Sequence, residues 1–200
     1  MEAAKLKEAM KVVERYIYAK DFNRPHQMSA VFTASASLEM EVNSSSISFP
    51  ALTKGLEPIA DTLSRNFGAT YDNVYTLCIE DSVEQYGLQL DCRWLVVMTH
   101  KLEKTARLGF GRYQWSFDES AEPLAEKLKI SIEDMLVIEP SLSETLLNWI
   151  SAKSYPWINR SELLENTPDI DCIEGMKRWL IKPESDKLAT LTVNGRFSPE

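Results

Sequence analysis

Over residues 74–140 the spacing of apolar residues changes from a period of 3.6 to a period of 2, and that change limits the architectures open to the chain. Before Val74 the apolar positions recur at helical intervals. Leu6, Met10, Val13 and Ile17 form one stripe, which predicts an amphipathic helix over residues 5–20. Pro25 suits the first turn of a short second helix running to Phe32, and Leu56, Ile59, Ala60, Leu63 and Phe67 form a third helical stripe. Between them Leu38-Glu39-Met40-Glu41-Val42 alternates as a half-buried strand does, followed by the polar loop Asn43-Ser44-Ser45-Ser46. From Val74 to Pro140 alternation takes over and predicts strands over 74–80, 88–100, 106–117 and 128–138, with a hairpin turn at 101–104. Helices followed by a long meander make an α+β pattern. The expectation is three N-terminal helices packed on one face of a strongly curved antiparallel sheet.

Pro140 closes the alternating region, so the chain reads as a body over residues 1–140 and an extension over 141–200. The extension is expected to be mostly helical. Ser141-Leu142-Ser143-Glu144 resembles a capping box ahead of Leu146, Trp149 and Ile150, and Ile173, Met176 and Leu180 form a further stripe ended by Pro183. Asn194-Gly195 is a turn signal. Trp149, Trp157 and Trp179 make the extension too apolar for a free linker, so it is expected to fold back on the body or on a partner.

Composition narrows the function classes. With 22 Lys+Arg against 30 Asp+Glu the net charge is −8, which argues against nucleic acid as partner. No apolar run approaches the ~18 residues of a membrane span, and the first residues lack the apolar core of a signal peptide. Cys78, Cys92 and Cys172 are odd in number and at no metal spacing, which points to reduced thiols and a cytoplasmic location. His26 and His100 lack a second ligand at i+3 or i+4, so no metal site is expected. No glycine motif for phosphate or dinucleotide binding occurs, and no cofactor is expected.

Four short motifs, in order, resemble the nuclear transport factor 2-like (SnoaL-like) superfamily. Glu14-Arg15-Tyr16-Ile17 resembles its first helix, and Val31-Phe32-Thr33-Ala34 the segment before its first strand. Gly55-Leu56-Glu57-Pro58-Ile59 resembles the opening of its third helix, and Gly111-Arg112-Tyr113-Gln114-Trp115 a later strand. The resemblance covers about residues 5–140 and implies a cystatin-like cone with a pocket between helices and sheet. Members include isomerases, dehydratases, polyketide cyclases and non-catalytic binding or dimerisation modules, so the fold alone does not settle the function. The ketosteroid isomerase branch uses a helix tyrosine, a strand carboxylate and a second acid. Tyr16 matches the tyrosine, but Met40 stands at the base position and Tyr113 at the second acid. Tyr16 and Tyr113 are therefore the weak catalytic candidates.

Strand parity extends this site. Tyr113 and Trp115 are grouped with Leu95, Val97 and Arg93 as the pocket-facing class, Arg93 being suited to a ligand carboxylate. With Tyr16 and Met40 these are the expected ligand-binding residues. Gly109 and Gly111 share that parity, leaving room for a ligand or for a helix. The opposite class, including Trp94, Val96, Met98 and Phe110, is unexpectedly apolar for a solvated face and is expected to form a homodimer interface, a packing mode the resemblance implies is common. The leading expectation is a binding protein for a small hydrophobic molecule. A lyase or isomerase, and a protein-interaction module, are the alternatives.

Overall fold

Helix α1 (Glu2–Asp21) buries Val13 and Ile17 of the expected stripe together with Val12 and Tyr16. Each such side chain contributes roughly 1.5–3 kcal/mol by leaving water. The computed structural model describes residues Glu2–Lys182, so the Asn194-Gly195 turn signal lies outside the described residues. The chain divides into two compact units, Met1–Pro168 and Asp169–Glu200. Residues 141–168 thus belong to the same unit as the body. The second unit holds a 3-10 turn (Asp171–Ile173) leading into a helix, Glu174–Ile181.

In the first unit, a 3-10 turn at Pro25–Ala30 follows α1, then β1 (Phe32–Val42) and β2 (Leu52–Lys54). Residues 56–70 coil continuously through α2 (Leu56–Ala60), a π-helical turn (Asp61–Arg65) and α3 (Asn66–Thr70). The strands β3 (Tyr71–Ile79), β4 (Glu84–Tyr86), β5 (Gln89–His100), β6 (Ala106–Phe117) and β7 (Ala125–Ile138) come next. Helix α4 (Pro140–Ser151), β8 (Trp157–Ile158) and α5 (Arg160–Leu164) complete it. Among the described residues no helix is long and apolar enough to cross a membrane.

The sheet order is β2-β1-β7-β6-β5-β3-β8, with β4 on β5. This corrects the expected architecture. The sheet is mixed and not strongly curved, and the helices of the body are not just three N-terminal ones but are distributed through the chain. β1 runs parallel to β7, and β8 parallel to β3. A parallel pair needs a long crossover, and here most of the body lies between β1 and β7. Alternation along a strand reveals which face each residue takes but not which strand lies beside it, so the pattern could not show these pairings.

The β5–β6 register decides which side chains meet. Every pair joins an odd to an even number: Leu90 lies opposite Trp115, Cys92 opposite Tyr113 and Trp94 opposite Gly111. Directly opposed residues share a face. Leu90, Cys92, Trp94, Val96 and Met98 therefore face α1 beside Tyr113, Trp115 and Phe117, in one core with Tyr16 and Ile17. Arg93, Leu95 and Val97 face the other way with Leu108 and Phe110. The expected grouping of odd with odd is thus corrected: the four-residue connection, closed by His100 N–H donating to the Thr105 carbonyl at 2.9 Å, fixes the register one residue off it.

The far face of the sheet carries α4, which packs on β3, β5 and β6 and buries Leu146, Trp149 and Ile150. Its capping differs from the expected box. Glu139 precedes the helix without a side-chain cap and Pro140 takes the first position. The Ser143 hydroxyl instead accepts the Ala106 N–H at 3.1 Å, pinning α4 to the start of β6.

Two glycines of β6 let neighbours lie close. A Cβ at Gly111 would sit 1.9 Å from the Ser131 carbonyl oxygen and 3.0 Å from the Trp94 ring, whereas one at Gly109 would meet the end of Met135. Gly111→Ala is expected to cost about 3 kcal/mol, because the obstacle is backbone. Gly109→Ala should cost about 1 kcal/mol, because a methionine tail can turn aside. Urea unfolding midpoints of the two variants check that order.

Candidate functional site

Between the helices and the α1-facing side of the sheet lies a cavity of ≈ 40 Å³. Each element contributes the residues its period turns inward. Helix α1 supplies Tyr16 and, one turn on, Lys20; β1 supplies Met40; the π-helical turn and α3 supply Leu63 and Phe67; β3 supplies Thr76. The sheet floor is Trp94, Val96 and Met98 of β5, Tyr113 of β6, and Ile130, Ile132 and Met135 of β7. Ile47 and Phe49, from the connection between β1 and β2, close the remaining side.

Of the expected ligand-binding residues, Tyr16, Met40 and Tyr113 meet at this cavity. Trp115 stands behind them, edge-on to Tyr16 at 5.1 Å and stacked on Phe117. Arg93, Leu95 and Val97 lie on the opposite sheet face, and the Arg93 N–H donates to the Ser82 hydroxyl at 2.8 Å. Trp94, Val96 and Met98, expected at a dimer interface, instead line the cavity. Phe110 does face away from it, buried at 5 % exposure. Trp94 stacks on Tyr113 with ring centres 5.4 Å apart, a contact permitted by the bare Gly111 between strands. The space left by Gly109 and Gly111 is thus taken by Met135 and Trp94.

The polar side of the cavity is a buried knot. Lys20 Nζ donates to Asp21 Oδ1 at 2.5 Å and to the Thr76 hydroxyl at 2.8 Å, with 6 % and 0 % of the Lys20 and Asp21 side chains exposed. The Thr76 hydroxyl donates to Asp21 Oδ1 at 2.9 Å, and the Thr76 N–H to Oδ2 at 2.7 Å. Tyr155 adds an O–H donor to Oδ2 at 3.0 Å. Lys20 also sits 4.7 Å from the centre of the Phe67 ring, a cation–π contact. The expected site did not include Lys20, although its place one turn beyond Tyr16, on the inward stripe of α1, sets a charge where only apolar residues pack freely.

Two donors at the cavity have no acceptor: Nε1 of Trp94 is buried without a hydrogen-bond partner, and the buried Tyr16 hydroxyl faces that of Tyr113 with no acceptor for its own O–H. Burial raises the pKa of Tyr16, an effect partly offset by the Tyr113 hydroxyl facing it. Burial also holds Tyr113 well above its ordinary value, and raises Tyr155, with Asp21 adding to the shift. These hydroxyls are donors at neutral pH and not bases. The Cys78 thiol is likewise pushed up by burial and by neighbouring Cys92, so it is no nucleophile. Among the described residues no carboxylate lines the cavity, and no cluster of three or more His, Cys, Asp or Glu could hold a metal.

The fold is that of solved structures of the nuclear transport factor 2-like superfamily. Solved structures of that fold resemble this chain at low identity. An NTF2-like superfamily protein from Salmonella enterica serovar Typhimurium is 15 % identical, with a TM-score of 0.53 over 66 % of this chain and 92 % of its own. A hexachlorocyclohexane dehydrochlorinase of type 2 is 10 % identical, with a TM-score of 0.56 over 70 % and 94 %. A scytalone dehydratase-like protein from Novosphingobium aromaticivorans is 16 % identical, with a TM-score of 0.51 over 70 % and 93 %. No family model matches the sequence, and no curated protein matches it. The likeness is one of fold.

Two predictions follow from the buried groups. Lys20→Met strands Asp21 without its cation and should cost about 3–5 kcal/mol, while Lys20→Met with Asp21→Asn should recover much of that; chemical denaturation measures both. Tyr16, Tyr113 and Tyr155 have folded-state pKa values above their unfolded value of about 10. Their contribution to stability is therefore complete below that pH and lost as the pH rises above it. Ultraviolet absorbance of tyrosinate should show these rings ionising only in the cooperative alkaline unfolding step.

Proposed function

We propose that this protein binds a small, mainly apolar molecule between its helices and the α1-facing side of its sheet, with Ile47 and Phe49 as the movable wall of the site. One geometric fact carries the reading. The ≈ 40 Å³ inner cavity and a ≈ 370 Å³ surface groove share Ile47, Phe49 and Phe67 as a common partition. Alone, the inner space admits only a water-sized group or two, below the ~300–1,000 Å³ of typical ligand sites. Joined to the groove, it reaches that range.

Ile47 and Phe49 are the least buried residues of the lining. Their segment is tied at both ends, by Asn43 N–H to the Ile132 carbonyl at 2.9 Å and Met40 N–H to the Ala51 carbonyl at 3.0 Å. Ser44 and Ser46 donate to the Met135 carbonyl. Ile47 and Phe49, half-buried, add apolar packing. The unpartnered donors of Tyr16 and Trp94 give a bound molecule polar contacts that the protein does not itself supply.

The solved structures of similar fold include proteins described as a dehydrochlorinase and a dehydratase. Proton abstraction by a lining carboxylate is not part of the proposal: Met40 occupies the base position that the family resemblance suggests, and Asp21 already accepts four hydrogen bonds. The far sheet face carries α4, so the proposal does not extend to a homodimer through it.

Phe49→Ala removes the wall. The neutral fluorescent probe N-phenyl-1-naphthylamine should bind this variant about five- to tenfold more tightly than the native protein, because burying part of a phenyl ring is worth about 1 kcal/mol. Saturable binding unaffected by the substitution, or none in either protein, would refute the reading.

A further inference from the structure

Resting on that reading of the pocket, we propose that Lys20 makes it selective for uncharged molecules carrying a hydrogen-bond acceptor, such as a ketone, over hydrocarbons and carboxylates of the same shape. Lys20 is the charged residue of the cavity lining. Two of its three N–H donors are taken by Asp21 and the Thr76 hydroxyl. The third has the Phe67 ring, 4.7 Å from the ammonium. A carbonyl oxygen is a stronger partner for that N–H than a ring face, because a hydrogen bond to a charged donor is among the stronger contacts available in a desolvated site.

Charge selects between acceptors. Asp21, with none of its side chain exposed, already neutralises the ammonium. Its Oδ1 receives Lys20 and the Thr76 hydroxyl, and its Oδ2 receives the Thr76 N–H and the Tyr155 hydroxyl. A ligand carboxylate would place a second anion against a single cation in buried space, at a desolvation cost the site does not offset. A neutral acceptor keeps the pair balanced. The other donors agree in kind: Trp94 Nε1 can only donate, and Tyr16 has an O–H without an acceptor. An ammonium would face donors and a like charge.

The test uses the full chain carrying Phe49→Ala, with three ligands built on one ring: cyclohexanone, methylenecyclohexane and cyclohexanecarboxylate, each competed against N-phenyl-1-naphthylamine at neutral pH. The ketone should bind about tenfold more tightly than the hydrocarbon and at least about tenfold more tightly than the carboxylate. Adding Lys20→Met with Asp21→Asn, which removes both charges together and leaves the Trp94 and Tyr16 donors in place, should lower the ketone-to-hydrocarbon ratio about threefold or more. Labelling of Lys20 gives a readout that needs no further variant: its 13Cε resonance should shift with the ketone and not with the hydrocarbon. Equal affinity for ketone and hydrocarbon, tighter carboxylate binding, a ratio kept in the charge-free variant, or an unmoved Lys20 resonance overturns the role of Lys20 while leaving the pocket standing. Failure of all three ligands and the probe to bind overturns the pocket and this inference together.

Discussion

The Asp21 carboxylate is the fixed point of the first unit. It receives donors from its own helix through Lys20, from β3 through both the N–H and the hydroxyl of Thr76, and from Tyr155 beyond α4. β8 pairs with β3 only at Cys78 and Ile79, so the Thr76 N–H on that edge is answered by a side chain. A fully buried carboxylate is tolerated only when its charge and its lone pairs are matched, and here both are. Through this one group the end of α1, the edge of the sheet and the segment following α4 hold one another in register. The ammonium that balances it is thereby placed at the cavity.

The depth of the cavity is set on the opposite wall, by an absence of side chains. Gly111 sits beneath the Trp94 ring and against the Ser131 carbonyl, and Gly109 beneath Met135. With no Cβ at either point, the indole lies flat enough to stack on Tyr113, and the methionine crosses the strand. Tyr16, Tyr113 and Trp115 meet edge to face, the arrangement favoured by aromatic quadrupoles. The same glycines that could have opened a large chamber thus admit a packed aromatic floor, and the inner space shrinks to ≈ 40 Å³.

Much of this was legible in the sequence, and the misses have physical causes. The helical stripe through Val13 and Ile17, the start and end of β6 and the connection at 101–104 follow from periodicity. Tyr16, Met40 and Tyr113 line one cavity. Face assignment failed on parity. A four-residue connection sets odd residues opposite even ones, so Trp94, Val96 and Met98 joined Tyr113 while Leu95 and Val97 turned away. The length of the turn held that information; alternation within each strand did not. The parallel neighbours of β1 and β3 had no local signature, because strand direction is settled by the whole crossover. Ile47 and Phe49 sit beside a serine run that reads as a solvated loop, and only tertiary contact shows that their rings and methyls point inward. Lys20 did leave a trace, as a cation on an apolar stripe whose neighbour Asp21 supplies the counter-charge.

Relative costs decide which wall of the site can move. Displacing Trp94 or Tyr113 would break a stacked pair seated over a glycine and reopen contacts with Tyr16, each aromatic contact being worth roughly 0.5–1.5 kcal/mol beyond its buried area. Displacing Lys20 would separate a buried ion pair, costing several kcal/mol. Moving Ile47 and Phe49 exposes side chains that are only half-buried, on a segment whose ends stay tied to β1 and β7, at roughly 1 kcal/mol for each. The polar wall is therefore fixed by charge and the floor by stacking, and entry falls to the side held mainly by apolar packing. On the proposed reading a ligand admitted there would meet the Lys20 ammonium already oriented by Asp21, so the interaction that fixes the fold would also orient the group that reads the ligand.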